Sequence, residues 1–181
     1  SYFLVSRLAA LSNKKQHFVS DAGSSYYVTG QVLDYAFGQK DITSGSFATM
    51  GAAIPMAIGA SCYDKDAQII VVTGDGSLEL NIQELKTVSQ NNLNIKIFVI
   101  NNGGYASIRE SQDEYSEGRY TEDEDILDFS KVANAFEMNY EIIDDYLTID
   151  EQINKITSNS NPALIEVVCE RDQKIFGPEV I

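Results

Sequence analysis

Two short apolar runs, each closed by glycine or asparagine, constrain the fold of this chain most strongly. Ile69–Val72 precedes Gly74-Asp75-Gly76-Ser77, and Ile97–Ile100 precedes Asn101-Asn102. Short β-branched runs with such boundaries are typical of buried parallel strands. The intervening segment, Asn81–Gln90, carries apolar residues at helical spacing. We therefore predict a right-handed strand–helix–strand crossover, in which both strands end at the same edge of the sheet.

This arrangement places Asp75 beside Asn102 at the carboxyl edge, where open α/β sheets bind ligands. A carboxylate and a carboxamide oxygen suit Mg²⁺ that holds a diphosphate, and the neighbouring glycines let the backbone approach closely. Each residue also has a structural alternative, because Asp is a good helix N-cap and Asn before Gly is typical of turns. A dinucleotide site is disfavoured, since Gly74–Glu79 lacks the third glycine of that motif.

The charge of the chain limits its partners. The net charge is -14 over 181 residues, which argues against nucleic acid and anionic membrane surfaces. An anionic ligand here cannot rely on a basic patch, so a metal and backbone N–H groups must hold its phosphates. The hydrophobic content of 44% is enough for one domain with a substantial core.

The cysteines and the distribution of apolar residues predict a cytoplasmic protein. Cys62 and Cys169 are far apart in the sequence and have no metal-ligand spacing, so we expect two buried, reduced thiols. No signal peptide is visible. The uncharged stretch 42–63 contains Pro55 and three glycines, and we interpret it as a loop and a buried helix of small residues rather than a membrane span.

Strand and helix patterns alternate along the chain, which predicts a doubly wound α/β fold with a parallel sheet of about six strands and helices on both faces. The predicted helices are Tyr2–Leu11, Tyr26–Phe37, a Gly- and Ala-rich helix after residue 44, Asn81–Gln90, Tyr105–Gln112, Asp128–Met138 and Ile149–Thr157. The predicted strands are His17–Asp21, Ile42–Ser44, Ile69–Thr73, Ile95–Ile100, Tyr140–Ile143 and Ala163–Val168.

These motifs resemble those of thiamin diphosphate-dependent enzymes of the acetolactate synthase-like family. Gly74-Asp75-Gly76 followed by Asn101-Asn102 is similar to the cofactor motif, and Ser46–Ala60 is similar to a G-x-M-G-x-x-x-P-x-A-I-G-A segment of the family. Asp21-Ala22-Gly23 with Gln31 is a weaker match. The resemblance covers residues 1–181 as one domain, the diphosphate-binding domain of a three-domain subunit.

The resemblance implies a metal and diphosphate site. Mg²⁺ would be held by the Asp75 carboxylate, the Asn102 side-chain oxygen and the Gly104 carbonyl. The diphosphate would lie against six further residues, with the N–H groups of Gly76 and Ser77 at a helix N-terminus. These six are Ser24, Ser25, Gly74, Gly76, Ser77 and Tyr105.

The resemblance also assigns residues to the cofactor rings. Met50 would wedge under the cofactor, although most methionines serve core packing. The Ala48 carbonyl would accept from the aminopyrimidine. We expect Ile108 to pack beneath the diphosphate helix, and Arg109 to be a surface or subunit contact rather than a substrate ligand. The acidic segment 113–128 is predicted to be a solvated loop.

The implied chemistry is decarboxylation of a 2-oxo acid, such as pyruvate, followed by carboligation. No catalytic residue is expected in this chain, because the activating glutamate would belong to a pyrimidine-binding domain that this chain lacks. We expect this chain to be part of a longer, multi-domain subunit that assembles into a homo-oligomer. The alternatives are a small subunit of a split 2-oxo acid decarboxylase and a non-catalytic phosphate-binding or assembly module.

Overall fold

A computed structural model describes residues 1–120 and 126–176, which form eight α-helices around one parallel sheet. The helices are α1 Tyr2–Leu11, α2 Gly23–Val32, α3 Ala53–Tyr63, α4 Asp75–Glu79, α5 Glu84–Gln90, α6 Ala106–Tyr115, α7 Phe129–Ala135 and α8 Ile149–Thr157. The strands are β1 Gln16–Ser20, β2 Asp41–Ile42, β3 Gln68–Gly74, β4 Ile95–Asn101, β5 Asn139–Ile143 and β6 Ala163–Val168. A 3₁₀ turn covers Gly45–Phe47.

The strand order is β2-β1-β3-β4-β6-β5, and all five ladders are parallel. The predicted six-stranded α/β fold is therefore confirmed. The chain moves outward from β1 to β2, then returns to place β3 on the other side of β1. This reversal creates a switch point between β1 and β3, and a crevice opens there at the carboxyl ends of the strands.

Helices cover both faces of the sheet, as the alternation of patterns predicted. On one face α3, α5 and α7 pack on the strand residues that point toward that face, such as Val71 and Ile97. On the other face α1, α2 and α8 pack on the alternate residues, including Val72 and Phe98. Because the central strands β3 and β4 are buried on both sides, their sequences read as continuous apolar runs.

Two helices differ from the sequence prediction in ways that shape the crevice. α2 begins at Gly23 rather than Tyr26, so its first turn lies directly after β1. The helix predicted over Asn81–Gln90 begins later, as α5 at Glu84, and a short helix that was not predicted, α4, precedes it and is joined to it by a turn. The turn is held by the Asn81 amide, which donates to the Gly51 carbonyl at 2.9 Å. Gly76 and Ser77 therefore lie inside α4 and not ahead of a helix.

Other predictions need smaller corrections. Both cysteines are free thiols as expected, but Cys62 is exposed and Cys169 is partly exposed, so the prediction that they are buried is wrong. The predicted acidic loop begins later, because α6 continues to Tyr115. Residues 121–125 of that segment lie outside the described residues. Within the described ranges, every helix is too short or too polar to cross a bilayer.

The amino edge of the sheet buries a polar network. Gln16 donates to Gln68 at 2.6 Å, and the Gln68 amide in turn donates to Asn94 at 3.1 Å. Lys96 is fully buried and donates to Asn159 at 3.2 Å and to the Asn161 carbonyl. Burial lowers the pKa of the Lys96 ammonium to about 8, because desolvation disfavours its charged form.

Candidate cofactor site

The ends of β3 and β4 meet as the crossover predicted. Gly74 is paired with Ile100 in the ladder, so Asp75 follows one strand directly beside the end of the next. One carboxylate oxygen of Asp75 accepts from the backbone N–H of Asn102 at 3.0 Å and of Gly104 at 2.9 Å. The other oxygen accepts from the N–H of Gly76 at 2.8 Å. The carboxylate therefore organises the loop that connects β4 to α6.

Among the described residues, the charge of Asp75 has no cationic partner. Its residue is 3% exposed, and it takes part in none of the ion pairs among the described residues. Burial raises the pKa of the carboxyl above its ordinary value, although nearby backbone N–H groups, that of Gly104 first, counteract part of this effect. A buried carboxylate that accepts hydrogen bonds only from backbone N–H groups is a favourable ligand for a cation that enters the cavity beside it.

Asn102 supplies a free acceptor at the same place. The residue is 7% exposed, and its side-chain oxygen is buried without a hydrogen-bond partner. Buried polar atoms are normally paired, so such an orphan is a mark of a group that a ligand satisfies. The Gly104 carbonyl accepts from the Ala106 N–H at 2.8 Å, which leaves its second lone pair for another partner.

A cavity of about 270 Å³ opens over these groups, at the switch point between β1 and β3. All the residues predicted to hold the metal and cofactor line it, except Ser25. No lysine, arginine or histidine is among the residues that line it in the described part of the chain. The lining residues are Ala22, Gly23, Ser24, Tyr27, Ala48, Met50, Gly74, Asp75, Gly76, Ser77, Ile100, Asn102, Gly104, Tyr105, Ala106, Ser107 and Ile108.

The Ala48–Gly51 segment forms one wall of the cavity with an unusual backbone. Ala48 has φ 42°, in the left-handed region that non-glycine residues rarely adopt. Gly51 has φ 78°, and a Cβ there would lie 2.8 Å from the Cβ of Leu80. A side chain at Gly51 is therefore excluded both by the backbone conformation and by the approach of α4. Strained backbone of this kind persists where the surrounding structure fixes it, as at ligand sites.

Asp21 is the residue that fixes this wall, and the sequence analysis noted it only as part of a weak motif. Its carboxylate is fully buried and accepts from the N–H of Ala22 and Gly51 and from the hydroxyls of Ser25 and Thr73. Burial raises its pKa, and these four donors offset the cost. Unlike Asp75, Asp21 does not line the cavity. It joins β1, α2, β3 and the Ala48–Gly51 segment from behind.

Three sequence expectations are changed by these positions. Ser25 does not reach the cavity, because its hydroxyl faces Asp21 and the Ala22 carbonyl. The N–H of Gly76 is taken by Asp75 and so does not point at the cavity. Ile108 lines the cavity and is 41% exposed instead of packing beneath the helix.

Arg109 also differs from its prediction. It was expected at the surface or at a subunit contact, but its side chain is fully buried behind the β4–α6 loop. An arginine in a polar helix gives no sequence signal of burial, because charged residues are nearly always exposed. The prediction of an exposed Arg109 is therefore wrong.

Ser107 is a cavity residue that sequence reasoning missed. It lies in the first turn of α6, and its hydroxyl is buried without a partner. A Cβ built on Gly23 would lie 3.5 Å from this hydroxyl, which places Ser107 close to the first turn of α2. The only sequence signal was a small polar residue at the start of a predicted helix.

The fold and the site together define an α/β domain with an open cavity at its switch point, lined in the described part of the chain by a buried carboxylate and by no cationic side chain. Residues 21–167 match the family model described as "Thiamine pyrophosphate enzyme, C-terminal TPP binding domain". The chain belongs to this family of thiamin diphosphate (thiamine pyrophosphate) binding domains.

Curated relatives agree with this assignment. The chain is 30% identical to an acetolactate synthase catalytic subunit of Aspergillus candidus over 92% of its length, and 31% identical to an acetolactate synthase large subunit of Cyanidium caldarium over 90%. It is 28% identical to the large subunit of acetolactate synthase isozyme 1 of Escherichia coli over 97%. It spans only 24%, 28% and 32% of these three proteins, respectively. The chain thus corresponds to one domain of acetolactate synthase-like enzymes.

Proposed function

We propose that this domain binds thiamin diphosphate through Mg²⁺, which is held by Asp75, Asn102 and the Gly104 carbonyl. One observation carries the proposal: Asp75 and Asn102 both line the cavity, and within the described ranges the buried carboxylate has no cationic partner and the buried carboxamide oxygen has no donor. Mg²⁺ prefers oxygen ligands in an octahedral arrangement, and diphosphate oxygens with water would complete it. The acidic chain needs this cation, because no basic side chain lines the described cavity.

The diphosphate would lie against the first turns of α2 and α6. Ser24, Ser77 and Ser107 bring hydroxyl groups to the cavity, and Gly23 leaves room for a ligand to approach the backbone. We include the Ser107 hydroxyl among the diphosphate ligands because it is buried and has no hydrogen-bond partner in the part of the chain that the structure describes. Met50 and the Ala48 carbonyl lie on the wall where the cofactor rings would extend.

The bound cofactor would supply the electron sink for decarboxylation of a 2-oxo acid and for carboligation. The residues of this chain would bind and orient it, whereas the activating glutamate would come from a pyrimidine-binding domain. Exposed apolar side chains support such a neighbour: Tyr27, which lines the cavity, is 47% exposed, and Leu80 and Phe47, which follow or precede lining segments in the chain, are 55% and 88% exposed. A second domain, in a homo-oligomer within the cytoplasm, would cover them.

Calorimetric titration of the chain with thiamin diphosphate tests this proposal. We expect binding in the presence of Mg²⁺, with a dissociation constant above about 1 µM because the rings lack half of their pocket. With a chelator in place of Mg²⁺, or with thiamin lacking the diphosphate, the heat should disappear. Equal binding with and without the metal would contradict the metal-bridged site.

A pyruvate consumption assay on the same sample tests the division of labour between domains. The chain alone should not consume pyruvate, since it contributes no group expected to activate the cofactor. Turnover by these 181 residues, or sub-micromolar binding, would show that the second domain is not required.

A further inference from the structure

Arg109 places a cation directly behind the loop that presents Asn102 and Gly104. Its guanidinium donates to the carbonyl of Gly103 at 2.8 Å and to that of Asn102 at 3.0 Å. It also donates to the Arg171 carbonyl and, at 3.3 Å, to the carboxylate of Asp172. The side chain is fully buried, so its contacts are mainly with backbone and not with solvent.

These contacts hold individual peptide groups from two sides. The carbonyl of the Gly103–Gly104 peptide accepts from Arg109, and the N–H of the same peptide donates to Asp75 at 2.9 Å. The N–H and C=O of a trans peptide point in opposite directions. This peptide is therefore fixed between a buried guanidinium on one side and the buried carboxylate on the other.

The preceding peptide groups are held in the same manner. The Asn101 carbonyl accepts from the Cys169 N–H at 2.8 Å, while the N–H of Asn102 donates to Asp75. The Asn102 carbonyl accepts from Arg109, and the N–H of Gly103 reaches the Asn101 side chain at 3.4 Å. The loop is thus tied to the residue that follows β6, to α6 and to Asp75 at once.

The loop needs such external support because of its own composition. Gly103 has φ 79° and Gly104 has φ 95°, so both occupy conformations that glycine reaches at no steric cost but does not prefer. Because Gly103 and Gly104 have no side chains, their own backbone dihedral angles do little to fix the direction of their carbonyl groups. The planar fork of a guanidinium can fix two carbonyls simultaneously, which the single ammonium of lysine does less well.

We infer that Arg109 is a positioning residue for the divalent cation, which sets the direction of the Asn102 and Gly104 oxygens. This inference rests on the proposed function. Mg²⁺ demands near-ideal octahedral geometry, whereas Ca²⁺ accepts flexible and irregular sets of oxygens. Loosening the loop should therefore weaken Mg²⁺-dependent binding much more than Ca²⁺-dependent binding, whereas a general loss of structure would weaken both alike.

The test is calorimetric titration of thiamin diphosphate into the whole 181-residue chain, with saturating Mg²⁺ or Ca²⁺. For Arg109→Gln we expect affinity with Mg²⁺ to fall by about 10- to 100-fold, the usual range for residues that support metal ligands. The loss with Ca²⁺ should be no more than about threefold, because that ion tolerates a displaced carbonyl. Arg7→Gln is the matched control, since Arg7 forms a distant surface pair with Asp150.

The outcomes separate this inference from the proposed function. If the unaltered chain does not bind thiamin diphosphate with Mg²⁺, the proposed function fails and the inference falls with it. If it binds, but Arg109→Gln loses equal affinity with both ions or none with either, only the role of Arg109 is refuted. Should Arg109→Gln not fold, Arg109→Lys decides by the same comparison, with an intermediate shift in the Mg²⁺-to-Ca²⁺ ratio expected.

Discussion

The two edges of this sheet bury polar groups to a similar extent but treat them differently. At the amino edge, the amides of Gln16 and Gln68 and the ammonium of Lys96 have partners within the chain. At the carboxyl edge, and counting residues 1–120 and 126–176, Asp75 has no cationic partner, and the Asn102 and Ser107 side-chain oxygens have no donor. His17 Nδ1 is an unpaired atom near the amino edge, but none of the residues that line the cavity lies there.

The difference shows that burial of polar groups does not by itself mark a site. Both edges bury a charged side chain, and both carry networks of hydrogen bonds. The carboxyl edge differs because its unpaired hydrogen-bond acceptors line an open cavity, where a ligand can satisfy them. At the amino edge Gln16, Gln68 and Lys96 have partners within the chain, and the unpaired His17 Nδ1 lies away from the cavity, so we expect the polar groups of this edge to affect stability and not binding.

The largest expected effect follows from removing the charge at the carboxyl edge. Asp75→Asn should lower Mg²⁺-dependent affinity for thiamin diphosphate by at least about 100-fold, because the only charged protein ligand of the proposed cation is lost. Titration calorimetry measures this change, and circular dichroism establishes that the chain remains folded. Lys96→Met, at the other edge, should leave the affinity of the folded protein unchanged. Equal effects of the two substitutions on binding would break the comparison.

A second prediction concerns pH and the amino edge. The pKa of Lys96 is about 8 in the folded protein, below the unfolded value near 10.4. Between these values the unfolded chain holds a proton that the folded chain has released, so stability rises with pH by at most about 1.4 kcal/mol per unit. Urea denaturation of the parent chain and of Lys96→Met, between about pH 7.5 and 10, isolates this contribution. A stability difference that does not vary with pH would contradict the lowered pKa.

The smallest effect is expected at the unpaired hydroxyl. Ser107→Ala should weaken Mg²⁺–thiamin diphosphate binding by about tenfold, since a hydrogen bond to a charged group is lost. The same substitution should leave the free energy of unfolding equal or raise it by up to about 1 kcal/mol, because a buried hydroxyl without a partner is removed. Ser111→Ala, one turn later on α6 and exposed, is the control and should change neither quantity. Unchanged binding by Ser107→Ala would remove this residue from the site.

The fold could be predicted from the sequence because apolar runs and the glycines that bound them are local signals of strands and helices. β6 and both α1 and α8 lie where the patterns predicted them. The cavity side chains on strand ends, such as Asp75 and Asn102, were predictable for the same reason: their positions follow from the ends of the strands. Whether they bind a metal stays a prediction.

The features that the sequence analysis missed depend on contacts between residues far apart in the chain. Arg109 is buried because its partners are backbone carbonyls from two separate segments, and no local pattern encodes that arrangement. Asp21 has its central role because Gly51 and Thr73 approach it from distant parts of the chain. Ser25 was misplaced because the start of α2 turns its hydroxyl inward, away from the cavity.

The parallel ladders have a consequence for the folding kinetics of this domain. No neighbouring pair of strands can form from a tight hairpin, so each ladder must wait for a crossover to bring its strands together. Non-local pairing of this kind slows folding, because chain entropy is lost before the contacts are gained. A cofactor bound at the carboxyl edge, as proposed, would contact loops that form only after β3 and β4 are in register. It would therefore prolong the lifetime of the native state instead of hastening its formation.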